Sequence, residues 1–223
     1  MKRKLLIAFA LCSLVVLNAV GQMKYCLSYD DFQEGNWVEM DTLAVKERSQ
    51  ANKFWTGGNE FSTQTDDDSL KNILKKEAFA ILYHDTLLVN CRKLYYEECS
   101  FGKGYALAYV YGGNKLCFVN RNPANNGAVG AAAIGGIFFG AIGAGVLGGI
   151  AASSNLQKGF CFLVKHERRD GKVEVQMIDD KFMQRFEKDS PEFYAEYMSV
   201  KKKHQRESAA HVLPLLKEWS LIQ

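Results

Sequence analysis

Six cysteines and four histidines are the side chains in this sequence best suited to nucleophilic, redox or metal chemistry. A thiol enzyme needs a cysteine held beside a base, and the nearest such pair in sequence is Cys161 and His166. Five residues apart on a strand, those two side chains point to opposite faces. His204 and His211 are seven apart, two helical turns rather than the adjacent turns that paired metal ligation uses. His84 and Asp85 fall between two apolar runs, where a tight turn calls for polar residues. Glu97 and Glu98 beside Cys99 offer two carboxyls for acid–base work, but neighbouring acids on a strand or loop diverge. The sequence contains no C-x-x-C, no G-x-x-x-x-G-K-[ST], no G-x-S-x-G and no H-E-x-x-H. Gly102-Lys103-Gly104 and Gly112-Gly113 are too short to cradle a phosphate and read as turns. These patterns point away from an enzyme, with no catalytic residue, no metal ligand, no cofactor and no identified small-molecule ligand. One pair is kept as a candidate disulfide: Cys117 and Cys161 sit in similar apolar runs, and on paired strands they would face each other.

Location follows from the N-terminus. Lys2-Arg3-Lys4 precedes a run of apolar or small residues from Leu5 to Leu17, too short to span a bilayer comfortably. Ala19 and Gly21 supply the small residues of a cleavage site, so a signal peptide over 1–21 is expected, leaving Gln22 first. Leu11 is too large for lipid attachment at Cys12. The product is expected in the periplasm or cell envelope, a compartment that permits disulfides. The formal charge of +3 comes entirely from those three leader bases, since the remaining Lys and Arg equal the Asp and Glu in number. A neutral mature chain lacks the basic face that non-specific nucleic-acid binding needs.

The elements that would position any site are read from periodicity. Alternating apolar runs recur as pairs: 78–83 with 86–90, 105–111 with 115–120, and 159–166 with 172–178. The last pair flanks Arg168-Arg169-Asp170-Gly171, whose Asp-Gly predicts a type I′ turn. Six such strands predict an antiparallel meander. Residues 37–45 and 54–63 add further strand candidates, although Gly57-Gly58-Asn59 also fits a loop. A short helix is expected after Asp66-Asp67-Asp68-Ser69, with acids first and lysines last as the helix dipole prefers. Residues 179–188 read as an amphipathic helix, and Ser190 as the cap of another with Pro191 at its first position. Pro214 should kink or end a last helix over 209–222, whose leucines and Trp219 pack on the sheet. Lys201-Lys202-Lys203 reads as a solvated face, because polybasic lipid sites usually gather four to eight bases.

The unusual stretch is Gly127 to Ala152, which has no polar side chain and holds nine of the 19 glycines. Ala132, Gly136, Gly140, Ala144, Gly148 and Ala152 recur every four residues, so on a helix they form a small-residue stripe that lets backbones approach closely. Nine glycines in an exposed helix cost on the order of 9 kcal/mol. The larger apolar residues return only about 3 to 5 kcal/mol on membrane insertion. As one helix the segment would reach about 39 Å, enough for a hydrocarbon core of about 30 Å; as two helices each reaches about 18 Å and cannot cross. The bases that follow it, at Lys158, Lys165, Arg168, Arg169 and Lys172, fit a cytoplasmic C-terminal side after one crossing. One crossing would, however, separate 115–120 from 159–166, two runs that read as neighbouring strands. Three arrangements stay open: a spanning helix, a hairpin inserting into a membrane or into copies of itself, and a buried core element.

Gly136-x-x-x-Gly140 followed by Ala144, Gly148 and Ala152 resembles the glycine-zipper segments of bacterial envelope and secreted proteins. That resemblance implies membrane lipid or self-association as the partner of residues 127–152. The chain lacks the polar turn that usually divides two zipper helices. The expected fold class is α+β: an antiparallel β-meander with C-terminal helices and an inserted Gly/Ala-rich hydrophobic helical segment. Its parts are the leader 1–21, the N-terminal part of a β-rich domain 22–121, the glycine-zipper segment 122–157, a closing β-hairpin 158–178 and helices 179–223. The expected role is a non-enzymatic envelope protein that associates through the zipper. The alternatives are a soluble binding module using tyrosines and phenylalanines on the sheet face, or a thiol-dependent enzyme.

Overall fold

The computed structural model describes residues 23–49, 59–121, 123 and 159–223; the leader and the glycine-zipper residues, Ala132, Gly136, Gly140, Ala144, Gly148 and Ala152, lie outside them. Twelve strands among these residues join in one sheet. In chain order they are β1 (Met23–Cys26), β2 (Val38–Glu39), β3 (Ala44–Glu47), β4 (Phe61–Gln64), β5 (Ala80–Tyr83), β6 (Thr86–Asn90) and β7 (Leu94–Tyr96), then β8 (Cys99–Ser100), β9 (Tyr105–Tyr111), β10 (Lys115–Asn120), β11 (Phe160–Glu167) and β12 (Val173–Met177). The spatial order is β2-β1-β5-β6-β9-β10-β11-β12-β7-β8, with β3 and β4 attached to β9. The six strands expected as a meander are six consecutive neighbours, antiparallel throughout. The one departure from antiparallel pairing is β12 beside β7.

Alternation along the strands makes two faces. On β9, β10 and β11 the residues Ala106, Ala108, Leu116, Phe118, Phe162 and Val164 point inward. Tyr109, Tyr111, Cys117, Cys161 and Leu163 point outward. The inner cluster also holds Cys26 of β1 and Val173 and Val175 of β12, strands far apart along the sheet, so the sheet coils around one core. Phe101, Phe118 and Phe162 meet at its centre, with ring centroids 4.9 to 5.5 Å apart, Phe118 stacked on Phe162 and Phe101 edge-on to both. A helix not expected from periodicity, α1 (Tyr29–Glu34), closes the gap: Tyr29 and Phe32 enter this core, and Tyr29 N–H donates to Glu167 Oε2 of β11 at 2.9 Å. Its cause is local. Ser28 and Asp31 form a reciprocal capping box, and Gly35 at φ 76° ends the turn.

Outside, α2 (Asp68–Asn72) runs into a π-turn (Ile73–Glu77) and buries Leu74 with Met40, Leu43, Ile81, Leu88 and Tyr105. Asp67 caps α2 through Ser69 and Leu70 N–H, as the acidic start predicts. The opposite outer patch is covered by α3 (Asp180–Met183), α4 (Phe186–Asp189), α5 (Pro191–Met198), α6 (Lys203–Arg206) and α7 (Ala209–Glu218).

Several local expectations change. The helix expected over 179–188 is two short ones, and Ser190 makes no side-chain cap bond. Residues 37–45 split into β2 and β3. Helix α7 continues through Pro214 to Glu218, because Val212, Leu213, Leu215 and Leu216 are packed on the sheet on both sides of the lost donor. Trp219 lies past its end, half-exposed against Phe193, with its indole N–H donating to Glu196. The β11–β12 turn has a left-handed residue only at Gly171, and Gly171 N–H bonds to Arg168 O; the Asp-Gly pair thus makes a three-residue loop with an αL glycine rather than type I′. A tight turn with two positive φ values occurs instead at Glu97 and Glu98, between β7 and β8.

Candidate functional site

The chain leaves the sheet at the end of β10 and re-enters at the start of β11, and these two strands are direct neighbours. Cys117, Phe118, Val119 and Asn120 oppose Leu163, Phe162, Cys161 and Phe160. Directly opposed Cα atoms in an antiparallel pair are about 4.5–5.5 Å apart. The two flanks of the Gly/Ala-rich segment therefore emerge side by side at one end of the sheet. A single crossing would require them on opposite sides of a membrane; residues 127–152, on which that expectation falls, lie outside the described residues. Among the described residues no helix is long and apolar enough to cross a membrane.

Both roots are pinned. On the β10 side, Asn120 Nδ2 donates to Asn59 Oδ1 at 2.7 Å and approaches Cys91 Sγ at 3.5 Å. Asn59 is buried, and its own amide donates to Phe101 O and Lys103 O at 2.9 and 3.2 Å. Gly104 O accepts from Cys91 N–H at 3.0 Å, while a Cβ on Gly104, at φ +93°, would lie 2.8 Å from Phe61 O. Only glycine fits there. On the β11 side, Gly159 O accepts from Ala209 N–H at 2.8 Å, Phe160 bridges to Ser208, and the Phe160 ring meets His204 edge-on at 6.1 Å.

Four of the five described cysteines are buried. Burial pushes the Cys91 thiol well above its ordinary pKa and the Cys26 thiol up to about 12, so both stay protonated at neutral pH. Cys117 and Cys161 are fully buried free thiols on the same face. The register sets Cys117 opposite Leu163, which leaves Cys161 one diagonal step away. A hydrogen bond with Cys117, then burial, raises the Cys161 thiol. His166 is exposed on Glu174 at 3.4 Å, away from the patch that buries Cys161. His84 occupies the β5–β6 turn at φ 53°, and Glu98 pairs with Arg168 at 2.7 Å. Among the described residues no cluster of His, Cys, Asp and Glu could hold a metal ion. Of the sheet tyrosines, Tyr105, Tyr109 and Tyr111 lie buried beneath the outer helices and loops, while Tyr25, Tyr83, Tyr95 and Tyr96 are partly exposed.

Sequence reading missed one polar assembly, beside the β11 root. Arg206, 7% exposed, grips Asp180 bidentately, Nε to Oδ1 at 2.8 Å and Nη2 to Oδ2 at 2.5 Å. Tyr197 O–H donates to the same Oδ1 at 2.8 Å, and Glu207 Oε1 accepts from Asp180 N–H at 3.1 Å. The hydrogen bonds from Arg206 hold the Asp180 carboxyl below its ordinary pKa despite partial burial. Next to it opens a cleft of about 380 Å³ lined by Asp179, Asp180, Lys181, Gln184, Tyr194, Met198, Lys203 and Glu207. Nothing in the sequence could have found it, because the partners lie 26 positions apart and on different short helices.

A coiled sheet with a helical cover, and a long apolar stretch of sequence between two of its central strands, defines the class: a mixed α+β protein. The chain belongs to a family of unknown function, DUF6563, whose match covers residues 24–223. No curated protein and no solved structure matches it.

Proposed function

We propose that this chain is an exported, non-enzymatic protein of the cell envelope that associates with a membrane, or with copies of itself, through residues 127–152. The observation that carries this reading is the β10–β11 pairing, which returns the chain to the point it left. An apolar run with both flanks on one side must double back. Two helices of about twelve residues each reach about 18 Å, short of a crossing yet deep enough to enter one leaflet. The small-residue stripe from Ala132 to Ala152 lets two such helices pack on each other or on another copy. The family match supports a leader outside the mature domain, since it starts at Lys24, and it takes in the whole Gly/Ala-rich segment.

The test replaces Gly140 and Ala144 together by leucine. Loss of membrane fractionation or of self-association, with the β-sheet circular dichroism unchanged, is the expected result. A variant that fractionates and sediments like the parent would remove the zipper from the account.

A further inference from the structure

Three consecutive lysines are too few for a polybasic lipid site, but the fold changes both their position and their company. Lys201, Lys202, Lys203 and His204 are all exposed, and His204 lies against Phe160, the first residue of β11. Four residues further along α6 and its end, Ser208 and Ala209 bind Phe160 and Gly159. The lysine run thus stands where the chain re-enters the sheet from the Gly/Ala-rich segment. Lys203 and Lys181 line the same cleft, which adds a fourth lysine from a different helix.

The acids nearby are already engaged. Asp180 is held by Arg206 and Tyr197, Glu207 accepts from Asp180 N–H and lies 3.7 Å from Lys203, and Asp179 caps α3 through Phe182 N–H. Lys201 and Lys202 have no ion-pair partner among the described residues. Their backbone is nonetheless fixed, because Arg206 Nη1 donates to Val200 O and Lys201 O at 2.9 and 3.3 Å. Met198 in the same cleft is 38% exposed and adds an apolar side chain at the rim.

We infer that Lys181, Lys201, Lys202 and Lys203 form a surface for the headgroups of anionic phospholipids, set at the root of residues 127–152 so that headgroup binding and apolar insertion act at one place. This rests on the membrane branch of the proposed function and selects it over self-association. Charge complementarity supplies the reason: the Gly/Ala-rich segment alone inserts only marginally, and cationic side chains close to an anionic surface each strengthen binding about fivefold.

The experiment is flotation of the mature chain with vesicles of phosphatidylcholine alone and of phosphatidylcholine mixed with phosphatidylglycerol, at low and high salt. The parent is expected to float with the mixed vesicles far better than with neutral ones, and to lose that preference as salt rises. Replacing Lys201, Lys202 and Lys203 by Gln should weaken binding to the mixed vesicles about a hundredfold while leaving neutral vesicles and the thermal midpoint unaffected. Equal binding of parent and triple variant to mixed vesicles would overturn the headgroup surface. If Gly140→Leu/Ala144→Leu still abolished binding in that case, the insertion reading would stand. A parent that floats with neither vesicle but sediments as an oligomer would also overturn the headgroup surface, and would leave self-association as the role of the zipper.

Discussion

Because the β10–β11 register carries the functional reading, it is tested most directly by building a bridge across it. Val119 lies opposite Cys161, so Val119→Cys in a chain that also carries Cys117→Ala puts two thiols on directly opposed Cα positions. Those are about 4.5–5.5 Å apart, inside the range of roughly 4.4–6.8 Å that a disulfide spans. The native Cys117 and Cys161 are a diagonal pair, at about 7–8 Å, outside that range. A bridge from position 119 to 161 closes a loop of about 40 residues, which chain entropy converts to about 4 kcal/mol as an upper value. For a domain of this size that is about 10 °C in thermal midpoint. Non-reducing peptide mapping after mild oxidation, with melting curves taken with and without reductant, reads both quantities. The expected outcome is a 119–161 bridge in the variant, free Cys117 and Cys161 in the parent, and a midpoint that falls on reduction. A 117–161 bridge in the parent would mean a register displaced by two residues. Failure to bridge in the variant would mean that the two strands are not neighbours, and the doubling-back of residues 127–152 would go with them.

Other perturbations reach the supports of the site. Arg206→Ala strands the Asp180 carboxylate beside Tyr197; because that carboxylate is about a third exposed, the cost is reduced from the fully buried case to about 2 kcal/mol, read from the urea midpoint. Since Asp180 is held below its ordinary pKa, its contribution is complete above the unfolded value and lost as pH falls through the lower folded one. The stability advantage of the parent over Asp180→Asn should therefore be constant near neutrality and shrink below about pH 4. Gly104→Ala should cost about 2–3 kcal/mol, since its new Cβ meets the Phe61 carbonyl at a positive φ. Gly112→Ala, at positive φ but with open space around it, should cost only about 1 kcal/mol; equal losses at the two positions would show that the close approach at Gly104 contributes nothing.

Sequence patterns carried the meander because its strands alternate cleanly: Ala106 and Ala108 against Tyr109 and Tyr111 sort to opposite faces as period two demands. They missed β1, β7, β8 and α1 for a different reason in each case. Strands β7 and β8 have three and two residues, below any periodic window. The strand β1 has one buried residue in four, so its pattern is flat. Helix α1 was visible only through Ser28, Asp31 and Gly35, a capping signal rather than a periodic one. The polar supports were beyond reach in principle. Asn120 finds Asn59 across 61 positions, and Arg206 finds Asp180 across 26, pairings that only the folded sheet brings together. The lysine run reads as a solvated face because three bases fall short of a polybasic site, and neither Lys181 nor the β11 root is near it in sequence.

The long strands of the described sheet are covered on both faces, while β2, β3 and β4 are exposed or half-buried. Its inner face closes on its own aromatic core under α1. One outer patch is taken by α2, the π-turn, Met40 and Leu43, and the other by helices α3 to α7. At the root, Asn59 and Asn120 turn polar groups toward each other rather than opening an apolar socket. Under the proposed function, a stretch with no polar side chain from Gly127 to Ala152, whose flanks Asn120 and Phe160 are paired, packs its apolar surface against something other than this core. A glycine-rich stretch buries little area per residue, which makes it a weak core element and a good close-packing one. For the proposed function, that asymmetry is an argument for a partner outside the domain rather than the buried-core arrangement, and the bases beside the root are an argument for a lipid surface rather than a second chain.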